Sequence, residues 1–586
     1  MAGYGNYDRR PNVPLPGHHL WQGPDAYAEL VDRLADRPVP VLAVDCYPGV
    51  DLEVIRAGLL AADPELLVVE VEEAALSDKE LSLLIADELT DDRVFGRLSR
   101  RRLPQLFHQP ALIELRRQVE ETDRPMVLLG WGATLAAPDA AVVVLADLPR
   151  WEIQQRYRAG MPNWRADNGD EDVLRKYKRG YFVEWRIADE HKRPLLQRCD
   201  YLLDSTTSAV KLITGDCLRT GLAETVRRPF RVVPFFDPGP WGGTWMEQVC
   251  GLPPIDGKHY AWCFDCVPEE NSLLFKINDD VVEIPSLDVV LQHPRELLGE
   301  LTHARFGAEF PIRFDFLDTI GGGNLSLQVH PTTDYIQRTF GMPYTQDESY
   351  YLLDADEDAQ VYLGLREGVQ LDDLVQALLA GEAGQSVDVD QFVNTFPAHP
   401  HDHFLIPAGT IHASGSGSMV LEISATPYIF TFKLWDWGRL GLDGRPRPIH
   451  LDHGVHNIDP RRDTGWAERT AVNVVEPVAS GPGWVEERTG LHELEFIETR
   501  RHRFDQPVEH DTAGTVQVIN LVAGESAIVE SVAGSFDPFV LHFAETMIIP
   551  AQVGRYRIVP TGAGPWATIR ASVRGTERSR AVSTVS

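Results

Sequence analysis

Residues 324–331, with the sequence NLSLQVHP, form a short stretch in which polar and apolar residues alternate as they do in a β-strand. Because side chains along a strand point alternately to its two faces, Ser326, Gln328 and His330 share one face. Pro331 then ends the segment, since proline cannot donate a hydrogen bond to a neighbouring strand. The polar face either meets solvent or lines a cavity in which the glutamine and the histidine hold a metal ion. The strand alone does not decide between these two interpretations.

The chain downstream of this strand is a series of short alternating segments separated by turn residues, a texture that predicts an all-β sandwich or barrel. These segments are YYLLD (350–354), AQVYLGL (359–365), HFLIPAG (403–409), MVLEISA (419–425) and IFTFKLWDW (429–437). One helical insert is predicted at QLDDLVQALLAGE (370–382), where Gly381 is expected to end the helix. A last β-rich segment, residues 480–586, predicts a second jelly-roll lobe.

Upstream, residues 1–222 alternate apolar strand-like runs with helix-like segments. The strand-like runs include PVLAVDC (40–46), ELLVVEVE (65–72), RPMVLLGWGA (124–133) and AAVVVLADLP (140–149). Such alternation predicts a parallel sheet covered by helices on both faces. The sequence therefore predicts a multidomain protein with an α/β parallel-sheet domain (1–222), an all-β lobe with a helical insert (223–479) and a C-terminal all-β lobe (480–586).

Bulk composition excludes several classes of partner. The 586 residues carry a formal net charge of −32, which disfavours binding to nucleic acid or to an anionic membrane. No run of 18 apolar residues occurs, the first residues lack an apolar signal-peptide core, and only six cysteines are present. These features predict a soluble cytoplasmic protein. Cys263 and Cys266 form a single C-x-x-C with no second pair nearby, so a structural role is favoured over a zinc ribbon.

Two further segments offer ligands to the metal interpretation. Glu348 begins a predicted strand, and the P-x-G-x-x-H motif at 407–412 places His412 after a tight turn. Alone, Glu348 would be a solvated acid at a strand end and His412 an ordinary turn histidine. Together with Gln328 and His330 they make a set of one amide, one carboxylate and two imidazoles, which suits zinc with one position open. A decoy lies nearby, since H-x-H-x-H at 399–403 is expected to put three histidines on one strand face outside the site.

Several motifs in this part of the chain resemble the class I mannose-6-phosphate isomerases, zinc enzymes of the cupin superfamily. The motifs, in order, are PGPWGGTW (238–245), LSLQVHP (325–331), ESYYLLD (348–354), IPAGTIHASGSGSMVLEIS (406–424) and TFKLWDWGRLGLDGRPRPIH (431–450). These motifs fall between about residues 230 and 455. The resemblance is taken to include the last lobe as well, so it covers about residues 230–586. The resemblance implies a cupin fold and a zinc ion held by Gln328, His330, Glu348 and His412.

The sequence departs from this family at positions that would line the substrate pocket. Gln346 and Asp315 stand where the family usually has lysines, and Lys433 aligns with the family's active-site arginine. Tyr260 replaces a usual glutamate. A phosphosugar needs cationic hydrogen-bond donors, and four basic residues could supply them or could be ordinary loop charges. These residues are Lys433, Arg439, Arg445 and Arg447.

The N-terminal domain resembles uridine-kinase-like P-loop folds. The segment VLAVDCYPGVDLEVI (41–55) stands where a strand, phosphate loop and helix would be, and VVVLADLPRWEIQQRYR (142–158) and CDYLLDST (199–206) are similar to later kinase segments. Leu52 and Glu53 occupy the places of the loop's lysine and of its serine or threonine. A glutamate there would repel phosphate, so a degenerate fold without phosphotransfer is predicted.

The resemblance implies a zinc-dependent isomerase that interconverts an aldose and a ketose phosphate, most simply mannose 6-phosphate and fructose 6-phosphate, with a small phosphosugar as its partner. Lys433 would stabilise the enediolate, and either Glu422 or Asp402 would be the general base, although each could be structural. The alternative is a non-catalytic, zinc-bearing sugar sensor or regulatory protein, which the altered pocket lysines and the missing P-loop lysine favour. Turnover of zinc-loaded protein distinguishes the two hypotheses.

Overall fold

The computed structural model describes residues 5–35, 40–425, 430–442, 444, 447–490 and 495–575. Within these residues the strands form six sheets, one mostly parallel and the others largely antiparallel. No helix of the described residues is long and apolar enough to cross a membrane.

The N-terminal domain has the predicted parallel sheet. Its seven strands, in spatial order, are Trp21–Gln22, Lys211–Thr214, Tyr201–Asp204, Val142–Asp147, Val41–Cys46, Met126–Gly130 and Leu67–Glu70. The last five of these are mutually parallel, and the first two complete one edge in antiparallel pairing. When the five parallel strands are numbered in chain order, their order across the sheet is 2-3-1-4-5. The first of them, Val41–Cys46, is therefore central, and it is fully buried. Its unbroken apolar run follows from coverage of the sheet on both faces.

Helices surround this sheet. The α-helices are Pro24–Ala35, Leu52–Ala62, Asp78–Leu84, Ala86–Leu89, Gln109–Glu121, Ala133–Ala136, Arg150–Arg158, Val173–Arg179, Trp185–Arg198 and Gly215–Thr225. Two 3₁₀ turns, Val71–Ala74 and Leu103–Leu106, and a π-helical turn, Gly180–Glu184, complete the domain.

The next lobe is a sandwich of two antiparallel sheets. The first has the order His403–Ile406, Glu348–Ala355, Ser418–Ser424, Arg313–Asp318, His259–Cys266 and Phe235–Gly239. The second has the order Val393–Pro397, Gln360–Leu365, His412–Ser414, Leu327–Val329 and Phe432–Trp435. The lobe's helices are Trp245–Val249, Leu287–Gln292, Pro294–Leu298, Glu300–Phe306, Thr333–Phe340, Leu371–Glu382, Leu451–Gly454 and Thr464–Thr470, with a 3₁₀ turn at Val389–Gln391. A small sheet of Val13–Pro14, Ser272–Ile277 and Asp280–Pro285 ties the start of the chain to this lobe.

The predicted helical insert is present, but the expected end at Gly381 is wrong by one residue. The helix Leu371–Glu382 includes Gly381, whose missing Cβ lets Val387 and Trp435 pack closely against it. The left-handed backbone that favours glycine comes three residues later, at Gly384, with φ +95°.

The C-terminal lobe is a second sandwich, with one sheet of six strands and one of four. The six are Glu476–Gly481, Trp484–Arg488, Ile497–Phe504, Trp566–Val573, Gln517–Ala523 and Thr546–Ile549. The four are Val508–Asp511, Arg555–Thr561, Ser526–Ser531 and Phe539–His542, and a 3₁₀ turn lies at Ala551–Val553.

The N-terminal domain and the lobe that follows it share one hydrophobic core and are joined by polar contacts. Trp151 stacks on Phe235 with ring centres 4.0 Å apart. Arg158 binds both carboxylate oxygens of Asp237, at 2.7 and 2.8 Å. Buried apolar side chains of both parts, such as Phe95, form a single continuous cluster. The two parts are therefore packed against each other through both apolar and polar contacts.

Candidate metal centre

The strand Leu327–Val329 lies between the strands His412–Ser414 and Phe432–Trp435. Gln328 is the cross-strand partner of His412 on one side and of Lys433 on the other. The face that carries Gln328 and His330 is buried, with both side chains less than a tenth exposed. The wet-face interpretation of the opening stretch is therefore wrong, because the face points into the sandwich.

Four side chains converge at this point. Glu348 begins a strand of the opposing sheet, and its carboxylate oxygens lie 2.9 Å from His330 Nε2 and 2.9 Å from His412 Nε2. The Gln328 amide lies 3.1 Å from His412 Nε2. The ligand atoms of the two histidines and the glutamate all lie within 4.8 Å of one another. The structure thus brings together all four residues that the sequence assigned to a metal.

The hydrogen bonds behind the two imidazoles fix which ring nitrogen faces the centre. His330 Nδ1 lies 2.8 Å from the Phe430 carbonyl oxygen, and His412 Nδ1 lies 2.9 Å from the Thr410 carbonyl oxygen. A ring that donates from Nδ1 presents a lone pair at Nε2. Lone pairs of both histidines therefore face the oxygens of Glu348, and the Gln328 amide nitrogen reaches His412 Nε2.

A cation fits this arrangement. Glu348 Oε1 and His330 Nε2 are buried and make no hydrogen bond within the described part of the chain. Buried acceptors that face one another are costly unless a positive charge joins them. Two imidazoles, a carboxylate and an amide oxygen form a donor set that zinc accepts.

Gln346 connects the candidate metal ligands to a second acidic group. Its amide nitrogen donates to Glu348 Oε2 at 2.9 Å and lies 3.5 Å from Glu422 Oε1, while its oxygen accepts the Phe430 backbone N–H at 3.1 Å. The amide is fixed by these contacts. Where the resembled family has a lysine, this chain therefore has a neutral donor that orients Glu348.

Glu422, the first candidate base, lies beside the ligands and lines the cavity described below. Burial, together with the carboxylates of Glu348 and Asp315, raises its pKa well above the ordinary value. Asp315 is its cross-strand partner and is bound by Arg313 at 2.6 Å. The position that carries a lysine in the resembled family thus holds an arginine–aspartate pair.

Asp402, the second candidate base, lies away from the site. Its carboxylate accepts hydrogen bonds from the His399 backbone N–H and from the Asn473 side chain, both outside the cavity. The prediction that H-x-H-x-H forms one strand face is wrong, because the strand begins only at His403. His401 precedes it in a turn, with φ +72°. His403 pairs across strands with Tyr351, on the face opposite to the metal ligands.

Lys433 lies on the cavity side of its strand, while Phe432 and Leu434 are fully buried in the core. Burial and the nearby Arg447 lower the pKa of Lys433 to about 7. Arg447 and Arg439 both pair with Asp436. Arg445, the remaining predicted phosphate donor, lies outside the described residues.

A cavity of about 440 Å³ extends from these groups to the N-terminal domain. Gln328, Gln346, Glu422 and Lys433 are among its lining residues. The N-terminal domain contributes side chains that sequence reasoning missed, namely Arg93, Gln154, Asp172 and Tyr177. Little in the sequence indicates these four side chains, since none stands in a motif of the resembled isomerases.

The segment that resembles a phosphate loop contains a carboxylate, Asp51, at the start of the following helix. Asp51 caps the helix Leu52–Ala62, and its carboxylate accepts the backbone N–H groups of Glu53 and Val54 at 3.1 and 3.3 Å. In a working phosphate loop, such N–H groups would face the nucleotide phosphates. Leu52 and Glu53 lie in the first turn of this helix.

Comparison with known proteins separates the two halves of the chain. A family model described as a domain of unknown function (DUF8485) matches residues 26–227. Mannose-6-phosphate isomerase ManA of Bacillus subtilis is 26% identical over 240 residues, which are 40% of this chain and 71% of the relative. Mannose-6-phosphate isomerase of Streptococcus mutans is 24% identical over 318 residues, which are 53% of this chain and 89% of the relative. These relatives support an isomerase-like enzyme.

Among solved structures, a crystal structure of the mannose 6-phosphate isomerase from Bacillus subtilis matches 58% of this chain and 99% of its own, with a TM-score of 0.48 and 20% identity. A mannosephosphate isomerase structure from Archaeoglobus fulgidus matches 59% of this chain and 97% of its own, with a TM-score of 0.45 and 17% identity.

Proposed function

We propose that this chain is a zinc-dependent aldose–ketose isomerase that acts on a phosphosugar, with mannose 6-phosphate and fructose 6-phosphate as the favoured pair. The convergence of Gln328, His330, Glu348 and His412 beside a cavity that also exposes Glu422 and Lys433 carries the proposal. The similarity to mannose-6-phosphate isomerases supports the choice of sugar.

The four converging side chains would hold the zinc ion. When bound, zinc supplies Lewis-acid polarisation of substrate oxygens. The outer hydrogen bonds of His330 and His412 to backbone carbonyls would keep both rings in the ligating orientation.

The chain's own residues account for proton movement. In the aldose-to-ketose direction, Glu422 would take the proton from C2, which gives the enediolate, and would return it to C1. Over the same steps one proton would pass from the C2 hydroxyl to the C1 oxygen, so the atoms balance. Lys433 would stabilise the negative charge that develops on the enediolate oxygens.

A sugar-binding protein without turnover is the second candidate. Gln346 and Asp315 favour it, because these positions supply no free cation: the first is an amide fixed by Glu348, and the second is paired with Arg313. A cavity of this kind could hold a sugar without catalysing its conversion.

The decisive experiment is a coupled assay of purified, zinc-loaded protein with mannose 6-phosphate. Turnover that Glu422→Gln abolishes while zinc content stays constant would support the isomerase. His399→Gln is the matched control, since His399 is exposed and outside the cavity. Tight sugar binding without turnover of any aldose phosphate would instead favour the sensor.

For the N-terminal domain, we propose that it does not transfer phosphate from ATP. The N–H groups at the start of Leu52–Ala62 are bound by Asp51, and neither a lysine nor a hydroxyl stands in the loop positions that need them. The domain would instead act through its contact with the metal-bearing lobe.

A further inference from the structure

A loop of the N-terminal domain, residues 90–99, is inserted into the metal-bearing lobe. Phe95 at its centre is only 1% exposed. Its ring centre lies 5.6 Å from that of Phe430 and 5.2 Å from that of Phe432, on the strand segment that carries Lys433. Leu98 donates its backbone N–H to the Phe340 carbonyl oxygen at 3.0 Å. The loop is therefore held by both apolar packing and backbone pairing.

Asp92 fixes the conformation of this loop around Arg93. Its carboxylate accepts the backbone N–H groups of Val94 and Phe95 at 2.6 and 2.7 Å. The same carboxylate lies 3.4 Å from His453 Nε2 of the metal-bearing lobe. Arg93 is thus presented from an anchored backbone at the boundary between the two parts.

Arg93 lines the same cavity as the metal ligand Gln328 and the candidate base Glu422. Its guanidinium pairs with Asp172, which also lines the cavity. Both side chains are partly exposed, 35% for Arg93 and 23% for Asp172, so a ligand in the cavity can reach them. The N-terminal domain therefore forms one wall of the site.

The lining of the cavity carries both acidic and basic groups. Glu422 and Asp315 contribute carboxyl groups, and Arg93, Lys433 and Arg447 contribute basic groups. Lys433 has no ion pair within the described residues, whereas the two arginines are each paired with a carboxylate. A substrate that has both a carbonyl group and a phosphate matches such a lining.

We propose that Arg93 is a specificity-determining residue that binds the anionic group of the substrate, so that the N-terminal domain completes the substrate site of the lobe it covers. This inference rests on the proposed function. A guanidinium matches phosphate through two parallel hydrogen bonds, which suits the placement of a dianion beside Lys433 and Arg447. Without a ligand, Asp172 pairs with the Arg93 guanidinium, and the anionic group of the ligand would replace the Asp172 carboxylate.

The test uses the zinc-loaded full-length chain and measures binding of inorganic phosphate, mannose 6-phosphate and unphosphorylated mannose by calorimetry. Arg93→Gln should weaken the binding of both phosphate compounds by about 10- to 100-fold, the effect expected on losing a hydrogen bond to a charged group. Binding of mannose should not change. Arg93→Lys should restore part of the affinity, because it keeps the charge but loses the planar donor pair.

Two variants serve as matched controls. Arg97→Gln removes an exposed arginine of the same loop that does not line the cavity, and it should bind phosphate as the wild type does. Asp172→Asn keeps the helix cap but removes the competing carboxylate, so phosphate binding should tighten. Zinc content and melting temperature show that each variant is folded.

The outcomes separate this inference from the proposed function. If the wild type turns over mannose 6-phosphate and Arg93→Gln binds it as Arg97→Gln does, the role of Arg93 is wrong while the isomerase stands. If the wild type is inert but loses phosphate binding with Arg93→Gln, the isomerase fails and the role of Arg93 stands. A wild type that binds neither phosphate compound overturns the inference.

Discussion

Gln328 and Lys433 are cross-strand partners, so the amide next to His412 and the ammonium that faces the cavity project from adjacent strands. This pairing explains why a polar face occurs on a buried strand. One strand would supply a ligand of the proposed metal, and its neighbour would supply the cation that meets the charge developing on the substrate.

Lys433→Ala should lower turnover by about 10²- to 10³-fold, the usual effect of removing one preorganised charge, while the zinc content stays constant. Lys433→Arg restores the residue type usual in the resembled family and should retain activity. The measurement is a coupled isomerase assay with metal analysis.

Lys276→Ala is the control for this prediction, because Lys276 is exposed on the small sheet and does not line the cavity. Unaltered turnover of Lys433→Ala on the true substrate would remove Lys433 from the mechanism.

Glu348→Gln should lose zinc, because an amide replaces the carboxylate that faces both imidazoles. Bound metal stabilises the folded state by about 4 kcal/mol at a thousandfold excess over its Kd. A chelator should therefore lower the melting temperature of the wild type but not that of Glu348→Gln. Equal zinc content in both proteins, measured by atomic absorption, would contradict the site. His399→Gln should respond to the chelator as the wild type does.

The convergence of the four candidate ligands was predictable because each stands in a short local pattern. Strand alternation gives Gln328 and His330, and a tight turn presents His412. Arg93 was not predictable in this way, because its place in the cavity depends on how two domains dock, and no local periodicity encodes docking. The histidine run at 399–403 failed for a related reason: alternation of residue types does not show whether a turn, here with His401 at φ +72°, interrupts the strand.

Asp51→Ala should destabilise the protein by about 1 kcal/mol, because the helix Leu52–Ala62 loses its cap. It should confer no ATP-dependent phosphorylation, since the lysine and hydroxyl of a working loop are still missing. The measurements are chemical denaturation and a phosphotransfer assay with nucleosides and sugars. Phosphorylation by the wild type that is lost on substitution of Gly49 would overturn this prediction, whereas nucleotide binding without turnover would not.

Stability should fall in acid partly through His403. Burial and the Arg501 cation lower its pKa in the folded protein to about 3, from an ordinary 6.5. Between these two pH values His403 is protonated in the unfolded chain but not in the folded protein. His403 therefore does not reduce the free energy of unfolding above pH about 6.5, and it lowers that free energy progressively as the pH falls towards about 3, with a slope of up to about 1.4 kcal/mol per pH unit.

Denaturation of His403→Gln between pH 7 and 4 should therefore show a shallower loss of stability than that of the wild type. His399→Gln should match the wild type, because His399 is exposed. The metal site is common to all three proteins, so its own pH dependence cancels in the comparison. Equal slopes for all three would mean that His403 does not contribute.

Phe95→Ala should destabilise the whole protein rather than one domain. The ring packs against Phe430, Phe432 and Phe340 of the metal-bearing lobe, and its removal leaves a cavity at the interface. Truncating a buried phenylalanine typically costs about 3–5 kcal/mol. Because the two parts share a core, calorimetry should show their joint unfolding transition moving to lower temperature. Leu83→Ala, at a side chain 71% exposed, should leave the transition in place. If Phe95→Ala shifted only a separate N-terminal transition, the domain would be an independent appendage, and the wall it gives to the cavity would not be a fixed part of the site.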